Sequence, residues 1–139
     1  MLHVTFSRVY TFCAAHRLNS PWYDEMKNFE IYDKCNNASG HGHDYRLEVS
    51  LIGTPDRQTG MIWDMVDMDS KVREVLDTLD YKHLNREVPY FRDKIATSEN
   101  LIQYLWMHLE KRFPPDYLYH LKLWETNNNY FEMGRSNAQ

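Results

Sequence analysis

The chain has 139 residues, 42% apolar and 14% aromatic, which suits one ordinary domain with a real core. Sixteen basic against twenty acidic residues leave a net charge of −4 with no long basic run, which argues against duplex nucleic acid as a partner. No apolar stretch approaches the ~20 residues of a membrane helix, and the opening MLHVTFSRVY lacks the charged region, apolar core and cleavage site of a signal peptide. With only Cys13 and Cys35 a disulfide framework is not implied, so a cytoplasmic location is expected and Cys35 is available as a thiol.

Residues Val4 to Ala15 read as a strand, with His16 at its end. Asn19 to Gly40, rich in Asn, Asp, Lys and Tyr, reads as a long loop, and a loop of that length in a compact domain is usually functional. From His43 to Gly53 the pattern alternates: Tyr45, Leu47 and Val49 on one face, Arg46, Glu48 and Ser50 on the other. Thr54 to Gly60 is a polar turn, and Met61 to Asp64 reads as a short strand. Asp67 to Leu79 carries Met68, Val72, Val75 and Leu79 near the spacing of one helical face. A second helix follows Thr97: Thr97 or Ser98 caps it, Glu99 sits in its first turn, and Leu101, Ile102, Leu105, Trp106 and Leu109 form its apolar stripe. Lys111 and Arg112 close that helix and Pro114-Pro115 stop it. Tyr119 to Thr126 and Tyr130 to Met133 read as a strand pair across the turn Asn127-Asn128-Asn129. No repeat or linker divides the chain, so residues 1–139 form one α+β domain, an antiparallel sheet with two helices packed on one face.

The chemistry concentrates around three of the seven histidines. On a strand, His41 and His43 point to the same side. If that strand pairs with the one ending at His16, three imidazoles meet. Three neutral imidazoles without a fourth protein ligand describe a zinc site left open for water or substrate. A His-x-His pair alone is a weak signal, and most histidines sit at the surface, but Gly40 and Gly42 give this one room for close approach. Cys35 lies in a polar segment, KCNN, separated from His41 by Asn36 to Gly40. It is the candidate base or nucleophile, provided that a neighbour lowers its pKa from ~8.5. Cys13, among Phe12, Ala14 and Ala15, reads as a packing residue instead. Glu125 ends a strand, where a carboxylate can accept two parallel hydrogen bonds from a planar amino-imino edge. Asp80, in LDYKHLN, is either a helix-terminal acid or a group that orients a base. Thr97, Ser98 and Glu99 are first a helix cap, which also presents free amide donors to a ligand.

FCAAHRL, KCNNASGHGHDYRLEV, GTPDRQTGMIWDM, LDYKHLN, VPYF, ATSENLIQYLW and LWETNNNYF, in this order, resemble the 6-pyruvoyl-tetrahydropterin synthase family. The resemblance implies the tunnelling fold, with subunits joined through their sheets into β-barrel trimers, two trimers stacked as a homohexamer, and active sites at subunit interfaces. It implies Zn2+ held by His16, His41 and His43, with Cys35 moving protons on the substrate side chain. Glu125 would grip the pterin edge, and Thr97, Ser98 and Glu99 would line its pocket. The implied reaction is a lyase step on 7,8-dihydroneopterin triphosphate that expels triphosphate and yields 6-pyruvoyl-tetrahydropterin. In the family an Asp-His pair helps to activate the cysteine. Here Asp80 is followed by Tyr81, and His83, two residues on, is the candidate substitute. A phenol with pKa near ~10 does not do the work of an imidazole near ~6.5. Two alternatives follow: a 6-carboxytetrahydropterin synthase of queuosine biosynthesis, whose cysteine typically stands closer to the HGH phrase, and a catalytically inactive zinc- and pterin-binding homologue. Cys35 argues against a third branch that carries Glu at that position.

Overall fold

A computed structural model describes residues 2–135. The chain begins with a long strand, β1 (Val4–His16), followed by helix α1 (Glu25–Tyr32) and a 3-10 turn over Asp33–Asn36. Strand β2 (His41–Gly53) leads to helix α2 (Met65–Leu76), the two-residue strand β3 (Lys82–His83) and the short helix α3 (Leu84–Glu87). A second 3-10 turn, Pro89–Arg92, precedes helix α4 (Ser98–Glu110), and the chain closes with β4 (Leu118–Thr126) and β5 (Asn129–Gly134).

The five strands form one sheet in the order β3-β1-β2-β4-β5. All neighbours are antiparallel except β3, which runs parallel to β1 at Ala14 and Ala15. The expected antiparallel sheet is therefore mixed, and two short elements, α1 and α3, join the two expected helices. Tyr45, Leu47, Val49 and Leu51 of β2, with Leu121 and Leu123 of β4, form a single buried cluster with Met68, Val72, Val75 and Leu76 of α2 and Leu101, Ile102, Leu105 and Leu109 of α4. The period-two pattern of β2 and the apolar stripes of both helices drive this layering. Asp64 caps α2 by accepting from the Val66 amide, and Thr97 caps α4 by accepting from the Asn100 amide.

The segment from Asn19 to Gly40, expected as loop, holds α1 and the 3-10 turn. Asp24 caps α1 by accepting from the Lys27 amide. Its buried anchor is polar: the Asn28 amide group donates to the carbonyls of Ser20, Tyr23 and Asp24 and accepts from the Ser20 N–H. Met26, Phe29 and Ile31 are exposed, so α1 has no apolar stripe to betray it. Met61 to Asp64, expected as strand, pairs with no strand among the described residues. Its Trp63 instead donates its indole N–H to Asp67 at 2.7 Å and packs edge-on against Phe113 and Tyr117.

Candidate metal centre and active site

The antiparallel register of β1 and β2 sets His16 directly opposite His41, and Ala14 opposite His43. Because alternate strand residues share a face, all three imidazoles project to the same side. The His16 and His41 Nε2 atoms lie 3.1 Å apart, and the three ring centroids are separated by 4.6, 4.7 and 5.0 Å. One ring nitrogen from each histidine falls within 4.8 Å of the others. Metal–nitrogen bonds of ~2.0–2.1 Å in tetrahedral geometry require ligand nitrogens roughly 3.3 Å apart. The closest pair already meets that spacing.

The electronic state fits a metal as well. His16 Nδ1 donates to the Ala96 carbonyl at 2.7 Å, which leaves the Nε2 lone pair turned towards the cluster. His41 Nδ1 and His43 Nε2 are buried without a hydrogen-bond partner, a cost that an ion or its bound water would relieve. Burial pushes the His16 pKa down to about 4, with His41 and His43 adding to the fall and the Ala96 bond opposing it. Burial likewise lowers His43, against the raising effect of the Glu125 carboxylate. Burial thus favours neutral His16 and His43, the form that ligates.

A stability consequence follows for the metal-free protein. An unfolded imidazole titrates near ~6.5, so between that value and about 4 the unfolded chain binds the proton that folded His16 refuses. The contribution is fully present above ~6.5 and drains away as pH falls towards the folded value. Urea titrations at about pH 7, 5.5 and 4.5 should show falling stability in the protein and a shallower fall in His16→Asn. Identical slopes would remove His16 as the source.

The Cys35 segment is laced to the residues that follow the end of β1. The Cys35 carbonyl accepts from the Leu18 amide at 2.8 Å. The Asn36 side chain donates to the Leu18 carbonyl at 2.7 Å and to Asn19, and Arg17 Nε donates to the Asn36 carbonyl at 2.9 Å. Gly40 must close the turn back into β2, with φ +78°. A Cβ there would stand 2.6 Å from His83 Nε2 and 3.0 Å from the His16 carbonyl oxygen. Gly42, by contrast, has ordinary space for a side chain, so only Gly40 is sterically required.

Glu125 faces the cluster from β4. One carboxylate oxygen lies 3.6 Å from His43 Nε2, and the other accepts from the Ser98 hydroxyl. Ser98 is buried, Thr97 is occupied with capping, and Glu99 is exposed. Burial first, then the Glu125 and Asp33 carboxylates, push the Cys35 thiol up. Glu125→Gln should therefore lower that pKa and quicken alkylation of Cys35 by iodoacetamide in the metal-free protein. An unchanged rate profile against pH would show that Glu125 is not the charge the thiol feels.

Asp80 and His83 lie elsewhere around the end of the sheet. Asp80 accepts from the Cys13 backbone N–H at 2.8 Å and pairs with Arg73 at 3.4 Å. His83 backs onto Gly40, its ring nitrogens buried and unpartnered. No hydrogen bond links either residue to Cys35 among the described residues. Tyr81 is 85% exposed at φ +59°, next to Cys13, whose thiol donates to Asp44 at 2.8 Å. Tyr45 is a site residue that alternation marks only as core: its phenol lies buried behind the histidines, 5.6 Å from His43 between centroids, without a well-formed hydrogen bond. The Ala96 carbonyl, which fixes the His16 ring, carries no sequence signal at all.

Three imidazoles able to share an ion, with a carboxylate beside them, place the chain among small α+β proteins built around a metal-capable histidine cluster. The relatives narrow the class. The model of the 6-pyruvoyl tetrahydropterin synthase family matches residues 5–136, and the chain belongs to that family. Human 6-pyruvoyl tetrahydrobiopterin synthase is 40% identical over 124 residues, which span 88% of this chain and 86% of the human one. The solved 6-pyruvoyl tetrahydropterin synthase of Caenorhabditis elegans superposes with a TM-score of 0.93 at 38% identity, covering 98% of both chains. A putative 6-carboxy-5,6,7,8-tetrahydropterin synthase of Archaeoglobus fulgidus is 30% identical over 81 residues, 58% of this chain and 64% of its own.

Proposed function

We propose that the protein is a zinc-dependent 6-pyruvoyl-tetrahydropterin synthase that acts on 7,8-dihydroneopterin triphosphate and eliminates triphosphate. The observation that supports this most is the cluster of His16, His41 and His43 with Glu125 3.6 Å from His43. In this reading His16, His41 and His43 would hold a zinc ion, which would supply Lewis-acid polarisation of the substrate's side-chain oxygens. Glu125 anchors the pterin, held in place by Ser98, while Thr97 and Glu99 at the start of α4 line the pocket. Cys35 then takes and returns protons on the substrate side chain. The electron pair released beside the C–O–P linkage leaves with the triphosphate oxygen.

Asp80 is the residue proposed to orient the proton relay, with His83 standing in for the imidazole that Tyr81 replaces. The subunits are proposed to join edge to edge, since the outer edges of β5 and of the first half of β1 pair with no strand among the described residues. A β-barrel homo-oligomer, a hexamer of two trimers, located in the cytoplasm is the proposed assembly. No helix of the described residues is long and apolar enough to cross a membrane.

Tyr81 favours a second reading, a 6-carboxytetrahydropterin synthase or an inactive pterin-binding homologue. Incubation of the purified protein with dihydroneopterin triphosphate, followed by mass spectrometry, separates these. A pyruvoyl product with free triphosphate supports the main reading. A carboxy product with acetaldehyde supports the second, and binding without turnover supports an inactive homologue. Tyr81→His should raise the rate if the relay is compromised; an unchanged rate would show that no imidazole is needed there.

A further inference from the structure

One residue beyond the histidine cluster begins a cleft of about 870 Å3 whose lining includes Arg17, His83, Asn85, Arg86, Arg92 and Lys94, with Asp93 as its sole carboxylate. A net-acidic chain has here gathered positive charge. Several cations elsewhere are in ion pairs: Arg8 with Asp69, Lys71 with Asp67, Arg112 with Glu74, Arg135 with Glu110. None of the four cleft cations is in an ion pair among the described residues. Arg17 uses Nε on the Asn36 carbonyl, Arg86 reaches the Ala38 carbonyl at 3.4 Å, and Lys94 lies 5.4 Å from the Tyr90 ring. The Arg92 side chain has no hydrogen bond among the described residues and is exposed.

The inner wall carries a further signal. Both ring nitrogens of His83 are buried without a partner, so this polar ring faces a group the protein does not supply. His83 packs against Gly40, whose missing Cβ would also touch the His16 carbonyl. An anion in the cleft therefore sits immediately beside the cluster. Unpaired cations in a cleft focus their field on an incoming anion.

We infer that this cleft is a polyphosphate site that holds the triphosphate chain of the substrate, with Arg86, Arg92 and Lys94 on the outer phosphates and Arg17 and His83 at the inner end. The inference rests on the proposed reaction for its ligand but not for the site itself. Arg17 and His83, at the inner end, face the charge that arrives on triphosphate when the C–O bond breaks, whereas the outer cations hold the chain equally before and during that step. Their exposure to solvent screens the contact enough for the product to leave.

The test is a calorimetric titration of inorganic tripolyphosphate into metal-free and zinc-loaded protein, and into Arg92→Ser/Lys94→Ser. Both positions are exposed, so the variant should melt with the wild type. The metal-free wild type should bind. The variant should bind about 10-fold more weakly or worse, the scale of two lost charge-assisted contacts. KM for dihydroneopterin triphosphate should rise by a similar factor with kcat nearly unchanged. Equal binding by variant and wild type would overturn the inference, as would binding that requires zinc. Weakened tripolyphosphate binding with an unchanged KM would overturn it too, by giving the cleft to another polyphosphate. If the wild type shows no turnover at all, the reaction assignment fails while the titration still decides the cleft.

Discussion

Replacement of Cys35 by alanine is expected to lower turnover by roughly 10^2–10^4-fold, the usual weight of a positioned proton-transfer group. Zinc content and melting temperature should stay at wild-type values. The structure gives the reason for both halves. The thiol lies near Glu125, yet its segment is fixed by main-chain and Asn36 bonds to Leu18 and Asn19 that do not involve the sulfur. Loss of the side chain therefore removes chemistry without loosening the turn. A rate near wild type would take the thiol out of the mechanism. A simultaneous loss of zinc would make Cys35 a ligand rather than a base.

The second large effect belongs to His41. His41→Ala removes the partner that stands 3.1 Å from His16 Nε2, and two imidazoles remain. The drop in zinc affinity should exceed the roughly 10–100-fold that loss of a supporting hydrogen bond costs. Elemental analysis after dialysis should find the variant nearly metal-free, and turnover should fall with the metal. His41 lies at the start of β2, half-buried, outside the apolar cluster, so the fold should persist. Wild-type zinc content in the folded variant would count against the ligand set.

What could be read from the sequence followed from periodicity. Alternation along β2 placed His41 and His43 on one side together with Tyr45 and Leu47, and the register with β1 brought His16 to them. The stripes of α2 and α4 announced the layer that covers the sheet. What escaped was held by polar or single-residue contacts. Helix α1 is anchored by Asn28, whose bonds to Ser20, Tyr23 and Asp24 leave no hydrophobic period. Strand β3 is two residues long, too short for any pattern, yet it makes the sheet mixed. Asp80 spends its carboxylate on the Cys13 amide and Arg73, partners separated from it by the fold or by a helix end. Gly40 and Gly42 look alike in the HGH phrase, and only the packing of His83 and His16 around Gly40 distinguishes them.

The same contrast explains the cationic cleft. Arg17, Arg86, Arg92 and Lys94 are scattered in sequence among Asp93, Glu87 and apolar residues, so no basic run marks them. The end of β1, the α3 turn and the approach to α4 converge to line one volume with them. Charge gathered by folding is invisible to a count along the chain.

The account depends most on three histidines sharing one divalent ion whose remaining position is open. Zinc-edge X-ray absorption on the purified protein tests that claim directly. Three imidazole nitrogens at ~2.0–2.1 Å with one further light atom are the predicted shell. A sulfur at ~2.3 Å, or a protein that takes up no zinc when it is supplied, would contradict it.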